Sequence, residues 1–211
     1  MNSKNKLNRF TTLPILLDIL ASKRLVLLNP ETWADRNDSK ILLAYKMRQG
    51  FENIFALCFA ERSETIHHWN TFADGISGCC IEFDKMQLQK HLSTLDGVRC
   101  GSVVFLTKDN LKSRAHDDLK TPFTKRWAYK IEDEFRVIWE SKKKDLNVDC
   151  YVVNIDLEMI TKITMSQKMP EPIYLTIRDH LVKSLKVPLK KINRSTIFEN
   201  QVWIEHFSKS F

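Results

Sequence analysis

Two periodicities of apolar residues run along this chain, and together they predict a mixture of helices and strands. After Thr12 and Pro14, apolar residues recur at helical spacing through residue 20, which predicts a helix with one buried stripe. Residues 53–60, NIFALCFA, are nearly all apolar, as expected of a buried strand. The same reasoning predicts further strands at residues 25–28, 78–83, 98–106, 149–155 and 160–165, and helices at residues 38–47, 64–73, 84–95, 108–119 and 172–185.

The tail of the chain, residues 186–211, is expected to add a short strand and then a helix carrying Trp203 and Phe207. Helices and strands are mixed along the sequence without a regular strand–helix–strand rhythm. That mixture favours an α+β fold. At 211 residues the chain is long enough for one well-buried core, so a single domain spanning residues 1–211 is expected.

The segment 127–139, WAYKIEDEFRVIW, is rich in strand-forming residues and places charges at every second position. In a strand, Glu132, Glu134 and Arg136 would share one face, while Ile131 and Phe135 would point into the core with Val137. Two carboxylates beside a cation suit a reaction that develops positive charge. A solvated sheet edge with weak cross-strand ion pairs is the alternative.

The composition of the chain indicates in which compartment the protein works and what kind of partner it binds. Lysine and arginine outnumber aspartate and glutamate by 33 to 26, and the net charge of +7 favours a polyanionic partner such as nucleic acid. The five cysteines are odd in number and form no CxxC pair, which indicates a reducing compartment. No apolar run approaches the roughly 20 residues of a membrane span. We therefore expect a cytoplasmic protein without a membrane partner.

The common nucleotide and zinc motifs are missing from the sequence. No Walker loop, Rossmann glycine fingerprint or HExxH motif is present. The pair His67-His68 predicts no metal site, because adjacent helical residues point in different directions. A cluster of polar residues follows Trp33, at Asp35, Asn37 and Asp38. We interpret this cluster as a turn followed by a helix that Asp38 caps.

Several short motifs, taken in order, resemble a widespread prokaryotic family of unknown function. They are LNRF at residues 7–10, LVLLNPETWADRND at 25–38, ALCFAE at 56–61, HHWNTFADGISGCCIEFD at 67–84 and EDEFR at 132–136. The family pattern has a YRY opening, an aspartate-rich turn, CFSE, W-x-x-YAD-x-x-x-G and E-x-E-x-R. The resemblance covers residues 7–194 or so, nearly the whole chain.

That pattern is similar in turn to the ADP-ribosyltransferase toxins, including the DarT-like and CmdT-like enzymes that modify nucleic acid. The resemblance implies a split mixed β-sheet with flanking helices and a cleft for NAD. It implies that Arg9 contacts NAD, that Glu134 is the catalytic glutamate and that Glu132 acts on the acceptor side. Cys58, Phe59 and Ala60 match the central strand motif; Ala60 stands where a hydroxyl residue is usual, and Ser63 is the expected substitute.

The resemblance also gives expectations for the remaining site residues. Phe59 or Trp69 either stacks on nicotinamide or belongs to the core, and Lys125, Arg126 and Arg136 would bind the acceptor substrate. The implied activity is ADP-ribosyl transfer from NAD to nucleic acid, RNA rather than DNA, by a toxin of a toxin–antitoxin or anti-phage system. An antitoxin and a chaperone would then be protein partners. A protein acceptor, hydrolysis of NAD, or a non-catalytic nucleic-acid-binding module are the alternatives.

Overall fold

The described part of the chain, residues 5–113, 118–143 and 149–208 of a computed structural model, is built around one large sheet. The strands of this described part are β1 (Lys6–Thr12), β2 (Arg24–Leu28), β3 (Asn53–Ala60), β4 (Gly78–Asp84), β5 (Val98–Ser102), β6 (Val104–Leu106), β7 (Thr124–Arg126), β8 (Glu134–Ser141), β9 (Cys150–Asn154), β10 (Ile160–Met165) and β11 (Ile192–Arg194). Strands β6 and β7 form a separate two-stranded parallel sheet, and the other nine form the large one. The α-helices of the described part are α1 (Leu13–Ser22), α2 (Arg36–Gln49), α3 (Ile66–Phe72), α4 (Lys85–Leu92), α5 (Lys108–Ser113), α6 (Glu171–Lys183) and α7 (Gln201–Ser208). Short 3₁₀ helices lie at Pro30–Thr32, Asp118–Phe123, Trp127–Glu132, Leu157–Met159 and Leu189–Lys191.

The large sheet forks at β3. Strand β8 pairs with β3 along its whole length, from Asn53 to Ala60, and so occupies one edge of it. The other edge is shared, because β1 meets β3 only at the Asn8–Ala60 pair and β2 meets it only at Leu28–Ala56. Beyond these two bridges β1 continues into β4, β10 and β11, while β2 continues into β9. The two halves of the sheet therefore diverge, and a cleft opens between them.

Alternate residues of β3 divide the core between two faces of the sheet. Phe55, Leu57 and Phe59 belong to the main core, to which α1, α4 and α6 contribute apolar residues. Ile54 and Ala60 belong to smaller clusters on the opposite face, where α2 and α3 pack. Glu134 and Arg136 pair across from Ala60 and Cys58, so their side chains lie on this second face, beside the fork.

Two capped helices border the cleft on that face. Asp35 begins α2 by accepting hydrogen bonds from the backbone N–H groups of Asn37 and Asp38, and Gly50 ends it with φ 66°. Thr65 begins α3 by accepting a hydrogen bond from the backbone N–H of His68. The prediction that Asp38 caps this helix is therefore wrong by three residues, because the cap is Asp35. The Asp38 side chain makes a different contact, which is described below.

Most of the predicted elements are confirmed. The strands at residues 53–60 and 160–165 match β3 and β10, and the tail forms β11 and α7 as expected. The predicted strand 98–106 is interrupted at Val103, whose N–H donates to the Glu134 carbonyl. The mixed α+β class is confirmed, with a mostly antiparallel open sheet; β10 and β11 are one parallel pair.

The prediction of one strand from 127 to 139 is wrong in its first half. Residues Trp127–Glu132 form a 3₁₀ helix, and strand β8 begins only at Glu134. Asp133 between them has φ 46°, a left-handed conformation that breaks the alternation of faces. As a result Ile131 is 47% exposed instead of buried, while Phe135 and Val137 are buried as predicted.

In the ranges that the structure describes, none of the helices has the length and apolar character needed to cross a bilayer.

Candidate active site in the sheet fork

A cavity of about 600 Å³ occupies the fork between β1, β2 and β3. Its volume lies within the range of small-molecule sites. Its wall is formed by residues from both halves of the sheet, from the loop before α2, from α3 and from residues 125–134: Asn8, Arg9, Phe10, Leu28, Trp33, Ala34, Asp35, Ala56, Leu57, Cys58, Phe59, Ala60, His68, Thr71, Phe72, Lys125, Tyr129, Glu132 and Glu134. Aromatic rings and carboxylates therefore face the same space.

Glu134 is held at the cavity wall by a buried arginine. Arg136, two residues along β8, donates through Nε to Glu134 Oε1 at 2.7 Å. Its Nη1 and Nη2 atoms donate to the two oxygens of Asp38 at 3.0 and 2.6 Å, and Nη1 also donates to the Pro122 carbonyl at 2.8 Å. Arg136 has no exposed surface and lies over the Trp33 ring. This arrangement fixes the orientation of the Glu134 carboxylate.

Lys125 links the two glutamates of the site. Its Nζ atom donates to Glu132 Oε2 at 2.7 Å and to Glu134 Oε2 at 3.2 Å. The same ammonium lies 3.6 Å from Asp38 and 4.0 Å from Asp35. Four carboxylates thus surround a single ammonium group, and the charge of the site is only partly balanced.

The environment separates the pKa values of the two glutamates. Burial would raise the pKa of Glu134, but the positive charges of Arg136 and Lys125 outweigh it and lower that pKa to about 2. Burial raises the pKa of Glu132, and Lys125 opposes this effect without cancelling it. Glu134 is therefore an anion at neutral pH, whereas Glu132 is the better proton acceptor of the two.

Glu132 reaches the site through the 3₁₀ helix. A 3₁₀ helix aligns residues three apart, so Tyr129 and Glu132 lie on one side of it, and both line the cavity. His68 supports the end of this helix, because its Nε2 atom lies 2.9 Å from the Glu132 carbonyl oxygen. Burial lowers the pKa of His68, which favours a neutral ring that donates from Nε2. The structure brings Glu132 and Glu134 into one cavity, as the motif predicted, although by a different backbone path.

Arg9 lies in the gap where β1 leaves β3. Its Nη1 atom donates to the carbonyl oxygen of Cys58 at 2.9 Å, across the fork. Burial lowers the pKa of Arg9, and the charge of Glu134 acts in the opposite sense. Arg9, Glu132, Glu134 and Lys125 are four predicted site residues that the structure brings into one cavity.

Other predicted site residues belong to the core or lie elsewhere. Phe59 contributes to the cavity wall, but its ring points to the opposite face of β3 from the two glutamates and packs against Phe83 in the main core, with ring centroids 5.6 Å apart. Trp69 is buried against Phe10, and its indole N–H donates to Glu64. For both aromatic residues the structure thus favours the core alternative. Ser63 lines a different cavity, beside α7, and does not form part of the fork.

The three basic residues expected to bind the acceptor have different positions. Lys125 is in the cavity, Arg126 is exposed outside it, and Arg136 is fully buried beneath Glu134. A buried guanidinium with three hydrogen-bonded partners has no surface left for an acceptor. The expectation that Arg136 contacts the substrate is corrected: it positions Glu134.

Sequence reasoning missed Asp38, Trp33, Tyr129 and Phe72. Asp38 is 2% exposed, although it follows a surface turn, because it pairs with Arg136 on a distant strand. The sequence did contain a hint of this role. Three polar side chains follow one another at Asp35, Asn37 and Asp38, and a helix cap needs only one of them, so another was left for a different contact.

Within the described ranges, no group of three or more His, Cys, Asp or Glu residues is arranged to hold a metal ion.

Comparison of the chain with protein-family models, with curated proteins and with solved structures gave no match.

Proposed function

We propose that this protein is an ADP-ribosyltransferase that uses NAD as its substrate and modifies nucleic acid. The observation that carries the proposal is the pair of glutamates with separated pKa values in the forked sheet. A fixed anion beside a proton acceptor suits a reaction in which positive charge develops and a nucleophile loses a proton. The resemblance of the sequence motifs to the transferase toxins supports the same conclusion.

Breaking the bond between nicotinamide and ribose sends both bonding electrons to nicotinamide and leaves an oxocarbenium-like ribose. Glu134, with Oε1 on Arg136 and Oε2 facing the cavity with Lys125, would hold the ribose 2′-hydroxyl and stabilise that charge. A bond would then form from the acceptor atom to the anomeric carbon, and Glu132 would receive the acceptor's proton.

The cavity wall offers further groups that suit a dinucleotide. Arg9 can add a second, charge-assisted hydrogen bond to a phosphate oxygen while it keeps its bond to the Cys58 carbonyl. The rings of Trp33, Tyr129 and Phe72 line the cavity and can pack against nicotinamide. The surplus of carboxylates around Lys125 would favour the cationic nicotinamide ring over a neutral one.

The net charge of +7 favours nucleic acid as the acceptor, and we propose RNA before DNA. A compact transferase of this kind fits the role of a cytoplasmic toxin in a toxin–antitoxin or anti-phage system, held inactive by an antitoxin and assisted by a chaperone. Growth arrest on expression, relieved by Glu134→Gln, is the expected cellular consequence.

The decisive experiment incubates the protein with NAD labelled in its ADP-ribose part, together with RNA, DNA and bacterial lysate. The label should become attached to RNA, with release of nicotinamide. Glu134→Gln keeps a hydrogen-bonding side chain but removes the charge, so turnover should fall by at least about 100-fold. Glu158→Gln, at an exposed position outside the cleft, is the matched control and should keep the parental rate.

Each alternative predicts a different destination of the label. Label on lysate proteins would replace the nucleic-acid acceptor by a protein, and nicotinamide release without labelled polymer would indicate NAD hydrolysis. Salt-sensitive RNA binding without any NAD turnover, unchanged in Glu134→Gln, would indicate a non-catalytic binding module. Transfer by Glu134→Gln at the parental rate would remove Glu134 from the mechanism.

A further inference from the structure

The Trp127–Glu132 3₁₀ helix has an inner side and an outer side. Tyr129 and Glu132, three residues apart, face the cavity in the sheet fork. Trp127 and Lys130 are also three residues apart and therefore share another side of the same helix. The side chain of Trp127 is 48% exposed, and Lys130 is exposed as well. A tryptophan with so much exposed surface needs an explanation in a helix that also carries a site residue.

The outer side combines an aromatic face with positive charge. The Lys130 ammonium lies 4.0 Å from the centre of the Trp127 ring, and the exposed Arg126 precedes Trp127 directly. Ile131, on the third side of the helix and next to Lys130 in the chain, adds a second exposed apolar side chain, at 47%. An exposed ring with cations close to it is the combination with which proteins bind unpaired nucleic acid, because a base stacks on the ring while the cations meet phosphates. The Lys130 ammonium lies over one face of the ring, so a base would stack on the other face.

We propose that Arg126, Trp127, Lys130 and Ile131 form a platform that binds single-stranded RNA and leads it into the sheet fork. The proposal rests on the proposed function, since it names where the RNA acceptor lies. A base stacks on the face of Trp127 that is opposite Lys130, and neighbouring phosphates meet Arg126 and Lys130. The excess of positive charge over the whole chain adds to the attraction.

The distance from the platform to the site suits this role. Residues of a 3₁₀ helix rise by about 2 Å each, so Trp127 and Glu132 are separated by about 10 Å along the helix axis. A strand anchored on Trp127 can therefore present a following nucleotide to Glu132. A duplex cannot do so, because its bases are stacked on each other and its edges are paired.

Fluorescence anisotropy of a labelled single-stranded RNA of mixed sequence tests the platform in the absence of NAD. Trp127→Ala should weaken binding of the full chain by about tenfold, the loss typical of one stacked base. Lys130→Ala should weaken it less and should lower its dependence on salt concentration. Trp203→Ala removes a tryptophan that is 68% exposed on α7, away from the fork, and is the matched control with unchanged affinity.

The outcomes separate the platform from the transferase activity. If Trp127→Ala binds RNA as tightly as the parent, if Trp203→Ala loses as much, or if the annealed duplex or single-stranded DNA binds better than single-stranded RNA, the proposal is overturned. RNA binding through Trp127 without any NAD turnover would support the platform and overturn the proposed function. Labelling of RNA by NAD that is unaffected by Trp127→Ala would keep the function and overturn the platform.

Discussion

Arg136 binds both carboxylate oxygens of Asp38, a residue 98 positions earlier in the chain, at 3.0 and 2.6 Å. The pair joins the first turn of α2 to strand β8, and neither side chain is exposed by more than 1%. Arg136 also donates to Glu134, so the orientation of the proposed catalytic glutamate depends on a helix that supplies no catalytic group itself.

Asp38→Ala should destabilise the protein strongly, because it leaves a buried guanidinium short of its main partner. Breaking a buried pair from one side typically costs about 3–5 kcal/mol in the free energy of unfolding. Urea denaturation measures the loss. Asp18→Ala, which removes the partner of Arg24 at the surface, should have a far smaller effect. Equal effects of the two substitutions would show that breaking the buried pair costs no more than breaking the surface pair.

Lys125→Met should move the acid limb of the pH–rate profile to higher pH. Lys125 faces Asp35, Asp38, Glu132 and Glu134, and it lowers the pKa of both glutamates. Without it the two glutamates repel each other and bind a proton more readily. The shift should be about one pH unit or more, measured as nicotinamide release from NAD between acidic and neutral pH.

The control for this shift is another lysine of the same segment. Lys130→Met removes an exposed ammonium from the outer side of the 3₁₀ helix, so the acid limb of nicotinamide release should stay where it is in the parent. If Lys125→Met and the parent share one acid limb, then the ammonium does not control the ionisation of the glutamates.

The sequence predicted the strands well because their apolar patterns are local. Residues 53–60 are apolar on both faces, and β3 is buried on both faces. The segment 127–133 was not predictable in this way, since its alternating pattern is equally compatible with a 3₁₀ helix whose residues Tyr129 and Glu132 turn inward. Asp133, between the 3₁₀ helix and β8, has a left-handed conformation that glycine would have indicated in the sequence, but the residue is an aspartate. Its N–H donates to the Lys130 carbonyl.

The site was predictable in part for a related reason. Glu132, Glu134 and Arg136 are neighbours in sequence, so a motif reveals them together. The pairing of Arg136 with Asp38 depends on how α2 packs against the sheet, and spacing along the chain holds no information about it. The Phe59 ring belongs to the core, although Phe59 contributes to the cavity wall, because a strand alternates its faces: Cys58 and Ala60 lie on the face of Glu134, and Phe59 faces the main core.

Arg9→Gln should raise the KM for NAD about tenfold with little change in kcat. Glutamine can still donate a hydrogen bond to the Cys58 carbonyl, as Arg9 does, but offers no charge to a phosphate. Losing one charge-assisted hydrogen bond to the bound substrate and transition state alike corresponds to such a change in KM alone. Steady-state kinetics at varied NAD concentration measure it. Arg24→Gln, at the start of β2 beside Asp18, should leave both constants unchanged. A fall in kcat with constant KM would instead connect Arg9 to the transition state.

Glu134→Gln should be less stable than the parent at neutral pH and as stable as the parent near pH 2. The pKa of Glu134 is lowered from 4.5 to about 2 in the folded protein, so its charge stabilises the fold above pH 4.5, and this contribution disappears as the pH falls toward 2. At pH 7 the parent should exceed the variant by on the order of 3 kcal/mol in the free energy of unfolding.

Urea denaturation of both proteins between pH 7 and pH 2 measures this difference in the free energy of unfolding. The difference between parent and variant is the informative quantity, because other groups change the stability of both proteins with pH. Glu132 acts in the opposite sense, because burial raises its pKa and its charge destabilises the fold as the pH rises. Both proteins contain Glu132, so subtraction removes most of its contribution. Glu158→Gln should differ from the parent by the same small amount at every pH. A gap for Glu134→Gln that stayed constant from pH 7 to pH 2 would mean that Glu134 is not held as an anion by Arg136 and Lys125.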